Sequence, residues 1–113
     1  MTKEESIKKI YSFLDLSPNF DSYGGIPPDI KMVNKVRDFI TEYPKSPYFV
    51  APGPNGDILL VYISQSNRYE CEIYFDVDKT SLLVSDEIFD INEKEYFAYD
   101  GEFDTKVLNR YMS

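Results

Sequence analysis

A chain of 113 residues carrying 20 acids, 12 bases, no histidine and one cysteine is long enough for one modest core, yet it excludes much chemistry. Without His it lacks the commonest general base, the usual zinc partner and the standard base for a Ser or Cys nucleophile, and Cys71 alone cannot close an internal disulfide. The net charge of −8 repels nucleic acid and bare anionic membrane.

In chain order, Thr2 followed by Glu5 three residues on reads as a capping box opening a first helix. Ile7, Ile10, Tyr11 and Leu14 mark its apolar stripe, which ends before Pro18. Met1 to Ile10 is charged and has no apolar stretch, so no secretory signal is predicted there. No apolar run approaches the ~18 residues of a membrane span, and a cytoplasmic protein is expected.

Asn19 to Pro28 is the densest cluster of special-geometry residues. Gly24 and Gly25 permit positive φ or close backbone approach, and Pro27 and Pro28 fix φ and remove two donors. Pro28 is suited to a helix start. The expected role is structural. Phe20 and Tyr23 plug the core from either side of Asp21, whose carboxylate accepts backbone N–H groups. A second helix then runs from near Pro28 to about Tyr43, stopped by Pro44. Its stripe is Ile30, Val33, Val36 and Ile40, widened by Met32, Phe39 and Tyr43.

After Pro47 the period changes. Tyr48 to Ala51 reads as a short strand, and Pro52 to Gly56 as a turn with Asn-Gly as its strongest signal. Ile58 to Ile63 is apolar at every position, which predicts a central strand covered on both faces. Tyr69, Cys71, Ile73 and Phe75 alternate with Glu70, Glu72 and Tyr74, the pattern of a half-buried strand. Ser81 to Ser85 continues the meander, and Lys94 to Tyr99 reads as a fifth strand. An Asp104 cap followed by Val107, Leu108 and Tyr111 predicts a short closing helix. The expectation is a single α+β domain, with two N-terminal helices on one side of an antiparallel meander of four to five strands.

The run Asn19-Phe20-Asp21-Ser22-Tyr23-Gly24-Gly25, with Pro27 and Pro28, resembles the Asn-Trp-Asp-Ser/Gly-Tyr-Gly-Ala-x-x-Pro signature of a family of small uncharacterised bacterial proteins. Phe20 stands for the usual Trp and Gly25 for the usual Ala. The likeness continues through Pro52-x-Pro54-Asn55-Gly56-Asp57-Ile58 and the strand from Tyr69 to Asp76. It implies a helix, a second helix and a small meander of strands, and it implies no activity.

Two motif-like matches overlap at Asp76 and Asp78. Tyr74 to Thr80 is similar to the opening strand of haloacid dehalogenase-type phosphatases, but the chain lacks their length and alternating βα pattern. Asp76, Asp78, Thr80 and Glu87 also fall at four positions of a calcium-loop template, yet Ser81 stands where the sharp turn needs Gly. A polar hairpin turn accounts for both aspartates, so no cofactor or metal is expected.

Residues 1–47 hold seven acids and seven bases, whereas 48–113 hold thirteen against five. From Asp86 to Asp104 the acids Glu93, Glu95, Asp100 and Glu102 are interleaved with Tyr96 and other aromatics, opposed by Lys94 alone. Carboxylates steer a basic partner and aromatics anchor an interface. Glu70, Glu72 and Tyr74 form a second candidate patch on the outward face of one strand. The expected function is a non-catalytic interaction module binding a basic protein surface, such as that of a nucleic-acid-binding protein, with no direct nucleic-acid or membrane contact. Inhibitors, antitoxins and anti-defence factors work in this way. The alternatives are a small enzyme or calcium-binding protein using Asp76 and Asp78, and a structural subunit that assembles through a sheet edge.

Overall fold

A computed structural model describes residues 1–87, the backbone of 91–93, and residues 105–112. Helix α1 spans Lys3–Ser12, and Thr2 Oγ1 accepts from the Glu5 amide at 3.0 Å. The chain then tightens into a 3-10 turn at Phe13–Asp15. Three residues per turn set Phe13 directly above Ile10. Phe13 is therefore buried in the place expected of Leu14, which is exposed.

Helix α2 spans Ile30–Glu42 and is capped by Asp29, whose carboxylate accepts from the Met32 amide at 2.9 Å. Met32, Val33, Val36 and Ile40 are buried. Ile30, assigned to the stripe by its spacing, is half exposed in the first turn. Tyr43 turns extended before Pro44 and ends the helix.

Strands β1 (Phe49–Pro52), β2 (Ile58–Ile63), β3 (Tyr69–Phe75), β4 (Thr80–Asp86) and β5 (Ile91–Glu93) form one antiparallel sheet whose spatial order is the chain order. The register aligns Leu60 with Ile73 and Ile73 with Leu82, and likewise Tyr62 with Cys71 and Cys71 with Val84. All six are fully or almost fully buried. Helix α3 (Thr105–Met112) joins α1 and α2 on the same core through Val107, Leu108 and Met112. The fold is α+β, with N-terminal helices, an antiparallel meander and a short C-terminal helix. The fifth strand comes earlier than the predicted Lys94–Tyr99, which lies outside the described residues, as does Asp104.

An aromatic cluster holds helix to sheet. Phe39 stacks on Tyr43 at 5.5 Å and meets Phe75 edge-on at 5.4 Å, and Tyr43 meets Tyr62 at 5.2 Å. Such pairs add about 0.5–1.5 kcal/mol beyond their burial. The Tyr43 hydroxyl also donates to Asn109 Oδ1 at 2.9 Å, and Lys45 Nζ donates to the Met112 carbonyl.

The loop from Asn19 to Pro28 is closed by its own polar groups. Asp21 Oδ1 accepts from the Tyr23 and Gly25 amides, both at 2.9 Å, and Asn19 Oδ1 accepts from Gly24 at 2.6 Å. The bond from Tyr23 N–H, seconded by Gly25, holds the Asp21 carboxyl below its ordinary pKa. Two further bonds, Ile26 N–H to the Pro54 carbonyl and Gly56 N–H to the Ile26 carbonyl, tie the loop to the β1–β2 hairpin. The expected burial of Tyr23 is overturned, since its side chain is 93% exposed, and Phe20 is only half buried. The inward space is occupied at Gly25 and Pro28 instead. A Cβ on Gly25 would lie 2.7 Å from Asp21 Oδ1, so the carboxylate fills the inside of the loop and the ring turns out.

Candidate interaction face

Successive side chains of a strand point to opposite faces, so the sheet has two distinct surfaces. The helices pack on the surface made by Val50, Ile58, Leu60, Tyr62, Cys71, Ile73, Phe75, Leu82 and Val84. The opposite surface holds Phe49, Leu59, Val61, Ile63, Glu70, Glu72, Tyr74 and Leu83. Among the described residues no helix covers it. Of the outward positions of Ile58–Ile63, Leu59 and Ile63 are half buried and Val61 is buried at 5% exposure, outside the core cluster.

The register brings Phe49, Val61, Glu72 and Leu83 into one row across four strands. In the next row Leu59 and Tyr74 lie side by side, and Ile63 lies beside Glu70. Glu70, Glu72 and Tyr74 therefore share the outward face, as their alternation predicts. Glu87 was not singled out for this patch from the sequence, yet it joins them. The β3–β4 pairing sets Ser85 beside Glu70 and carries Glu87, two residues on, to the diagonal position, where its amide donates to the Arg68 carbonyl at 2.7 Å.

The electrostatics follow from this placement. Loss of water, then the charges of Glu72 and Glu87, push the Glu70 carboxyl above its ordinary pKa. Tyr74 donates to Glu72 Oε2 at 2.6 Å, and that bond, assisted by partial burial, raises the phenol to about 12. Strands β1 to β4 contain no Lys or Arg. The nearby Arg68 binds the buried Asp86 at 3.1 Å and lies 4.9 Å from the Tyr69 ring centre. Ile63, Asn67, Tyr69, Glu70 and Glu87 line a cleft of about 360 Å³ at this end of the face. The surface joins apolar area to clustered negative charge. Its carboxylates are oriented, with Ser85 in register beside Glu70 and Ser81 beside Tyr74, and clustered carboxylates of this kind attract cations.

The remaining candidates are scattered. Asp76 and Asp78 sit at the β3–β4 turn, where Asp76 Oδ1 accepts from the Val77 amide at 2.7 Å. Among the described residues no group of three or more His, Cys, Asp or Glu side chains is placed to hold a metal ion. Glu93 pairs in register with Val84, while Glu95, Tyr96, Asp100 and Glu102 lie outside the described residues. A larger hollow of about 790 Å³ between α2 and α3 sets Lys31 and Lys35 against Asp38 and Glu42. It has no excess charge to select a partner. The sheet edges are short, with four residues in β1 and three in β5. No described helix is long and apolar enough to cross a membrane.

Comparison with protein-family models, curated proteins and solved structures finds no match to this chain.

Proposed function

We propose that this protein is a non-catalytic interaction module that docks a basic protein surface on the sheet face opposite its helices. The observation that carries the reading is the convergence of Glu70, Glu72 and Glu87 on an apolar sheet surface whose four strands supply no cation. Like charges held together raise one another's free energy, and a cationic partner relieves that cost on binding. Exposed apolar area at Phe49 and Leu83 supplies the contact that charge alone does not. Glu95, Tyr96, Asp100 and Glu102 belong to the same reading on charge and composition, and so does Glu93, whose register partner Val84 is on the helix-packed surface. A partner rich in Lys and Arg is typical of nucleic-acid-binding proteins, and an inhibitor, antitoxin or anti-defence factor is the corresponding role. The likeness of Asn19 to Pro28 to a small bacterial family bears on the fold and leaves this reading unchanged.

The test is titration of the protein with decalysine at 0.05 and 0.3 M salt, alongside the Glu70→Lys/Glu72→Lys/Glu87→Lys variant. The expected result is binding that weakens with salt and is lost in the variant, whose amide spectrum shows that it is folded. Equal binding by the variant would overturn the assignment of the face.

A further inference from the structure

We infer that the occupant of the sheet face left uncovered by the described residues is a single amphipathic basic helix of the partner, laid across β1 to β4 as a third layer. The inference rests on the interaction face proposed above and names the kind of partner that fits it.

Size is the first argument. Neighbouring strands lie about 4.8 Å apart, so β1 to β4 span about 14 Å, close to the 10–12 Å diameter of one helix. The seven-residue strands β3 and β4 are about 23 Å long, the length of a helix of roughly 15 residues. An apolar sheet surface is ordinarily closed by a second layer of structure, and three helices already close the other side.

The pattern of the face fits the same occupant. Phe49, Val61 and Leu83 share a row with Glu72, and Leu59 lies in the row beside it. Apolar residues of a helix at i, i+3, i+4 and i+7 would meet the aliphatic positions. A wholly apolar stripe would desolvate Glu72, whose bond to Tyr74 leaves acceptor capacity unused. The helix therefore needs a Lys or Arg within or beside the stripe at Glu72, and further cations toward Glu70 and Glu87. Long basic side chains meet this need because they lie along apolar surface while the charged end reaches a carboxylate.

Other occupants fit less well. A second copy would set three carboxylates against three more. An extended strand would have to add at β1 or β5, which offer four and three residues, and Pro52 of β1 has no N–H to give. An anionic lipid surface is repelled by the same carboxylates that a basic helix would neutralise.

The probe is a 15-residue Leu/Lys peptide with helical apolar spacing, compared with the same peptide carrying one central proline. Binding is read by fluorescence anisotropy at 0.15 M salt, and methyl chemical shifts locate the contact. The expected result is at least ten-fold tighter binding of the helical peptide, with shifts at Leu59, Val61 and Leu83. A Leu83→Asp variant, checked for folding by its amide spectrum, is expected to lose this preference. Equal affinity for the two peptides, both lost in the triple Glu-to-Lys variant, would overturn the helix and leave the acidic face standing. No binding of either peptide at 0.05 M salt would overturn both readings. Shifts confined to residues elsewhere would overturn the placement.

Discussion

The Tyr74 hydroxyl donates to Glu72 Oε2 at 2.6 Å on the sheet face that no described helix covers, joining two residues of one strand. The bond is charge-assisted, fixes the carboxylate in the middle of the face, and favours the neutral phenol.

Alkaline pH will test that bond. Tyr74, through its bond to Glu72 and partial burial, and Tyr43, through burial and its neighbour Cys71, are both raised to about 12; burial with Tyr43 nearby also raises Tyr62. Folded-state values above the ordinary phenol value mean that the stability they carry is complete below about pH 10 and is lost as pH rises toward 12. Denaturant midpoints should fall across that window and stay level from pH 8 to 10. Glu72→Gln should bring one tyrosine absorbance transition back toward the ordinary range. An unchanged titration curve in Glu72→Gln would show that the bond does not govern Tyr74.

Glu70 gives a test of opposite sign. Its carboxyl is raised by loss of water and by Glu72 and Glu87, so its charged form costs stability at neutral pH. That cost is absent below the ordinary glutamate range and appears as pH rises through the raised folded value. Glu70→Gln should therefore raise the denaturant midpoint slightly at pH 7 and by less at pH 4. The gain should shrink with added salt.

The loop and the core should respond differently to loss of a ring. Tyr23→Ala should change stability by no more than about 0.5 kcal/mol, because its side chain is 93% exposed. Phe75→Ala, which removes a buried ring packed on Phe39, should cost about 3–5 kcal/mol. Thermal melts of the two variants decide the matter, and a large loss in Tyr23→Ala would contradict the outward placement.

The acidic run supplies the last test. Reversing Glu93, Glu95, Asp100 and Glu102 to Lys should slow association with a basic partner such as decalysine and flatten its salt dependence, with little change in melting temperature. Unchanged association would confine the recognition to Glu70, Glu72 and Glu87.

Much of the fold is legible in the residue pattern. The Thr2 cap, the stripe of Val33, Val36 and Ile40, and the alternation from Tyr69 to Phe75 each reflect local geometry, and local geometry is what a pattern records. The misses share another origin. Ile58 to Ile63 is apolar throughout, but how deeply each position is buried is decided by elements far away in sequence, and Leu59 and Ile63 are half buried. Tyr23 was assigned to the core because aromatic rings usually serve it. The competition between that ring and the Asp21 carboxylate for the loop interior is settled in three dimensions. Glu87 joins Glu70 only through the β3–β4 register, which spacing along the chain does not display.

The identity of spatial and chain order in the sheet bears on how the protein is made. Each strand pairs with the one synthesised just before it, so every hairpin closes a short loop at small entropic cost as the chain leaves the ribosome. The tie from Tyr43 to Asn109 is different: it joins residues 66 positions apart, and Lys45 reaches the Met112 carbonyl across 67. Synthesis can thus lay down the meander progressively, while the two bonds to α3 wait until Thr105–Met112 has been made. A nascent chain arrested before α3 would leave Tyr43 and Lys45 without these two partners, and making that helix would be the step that supplies them.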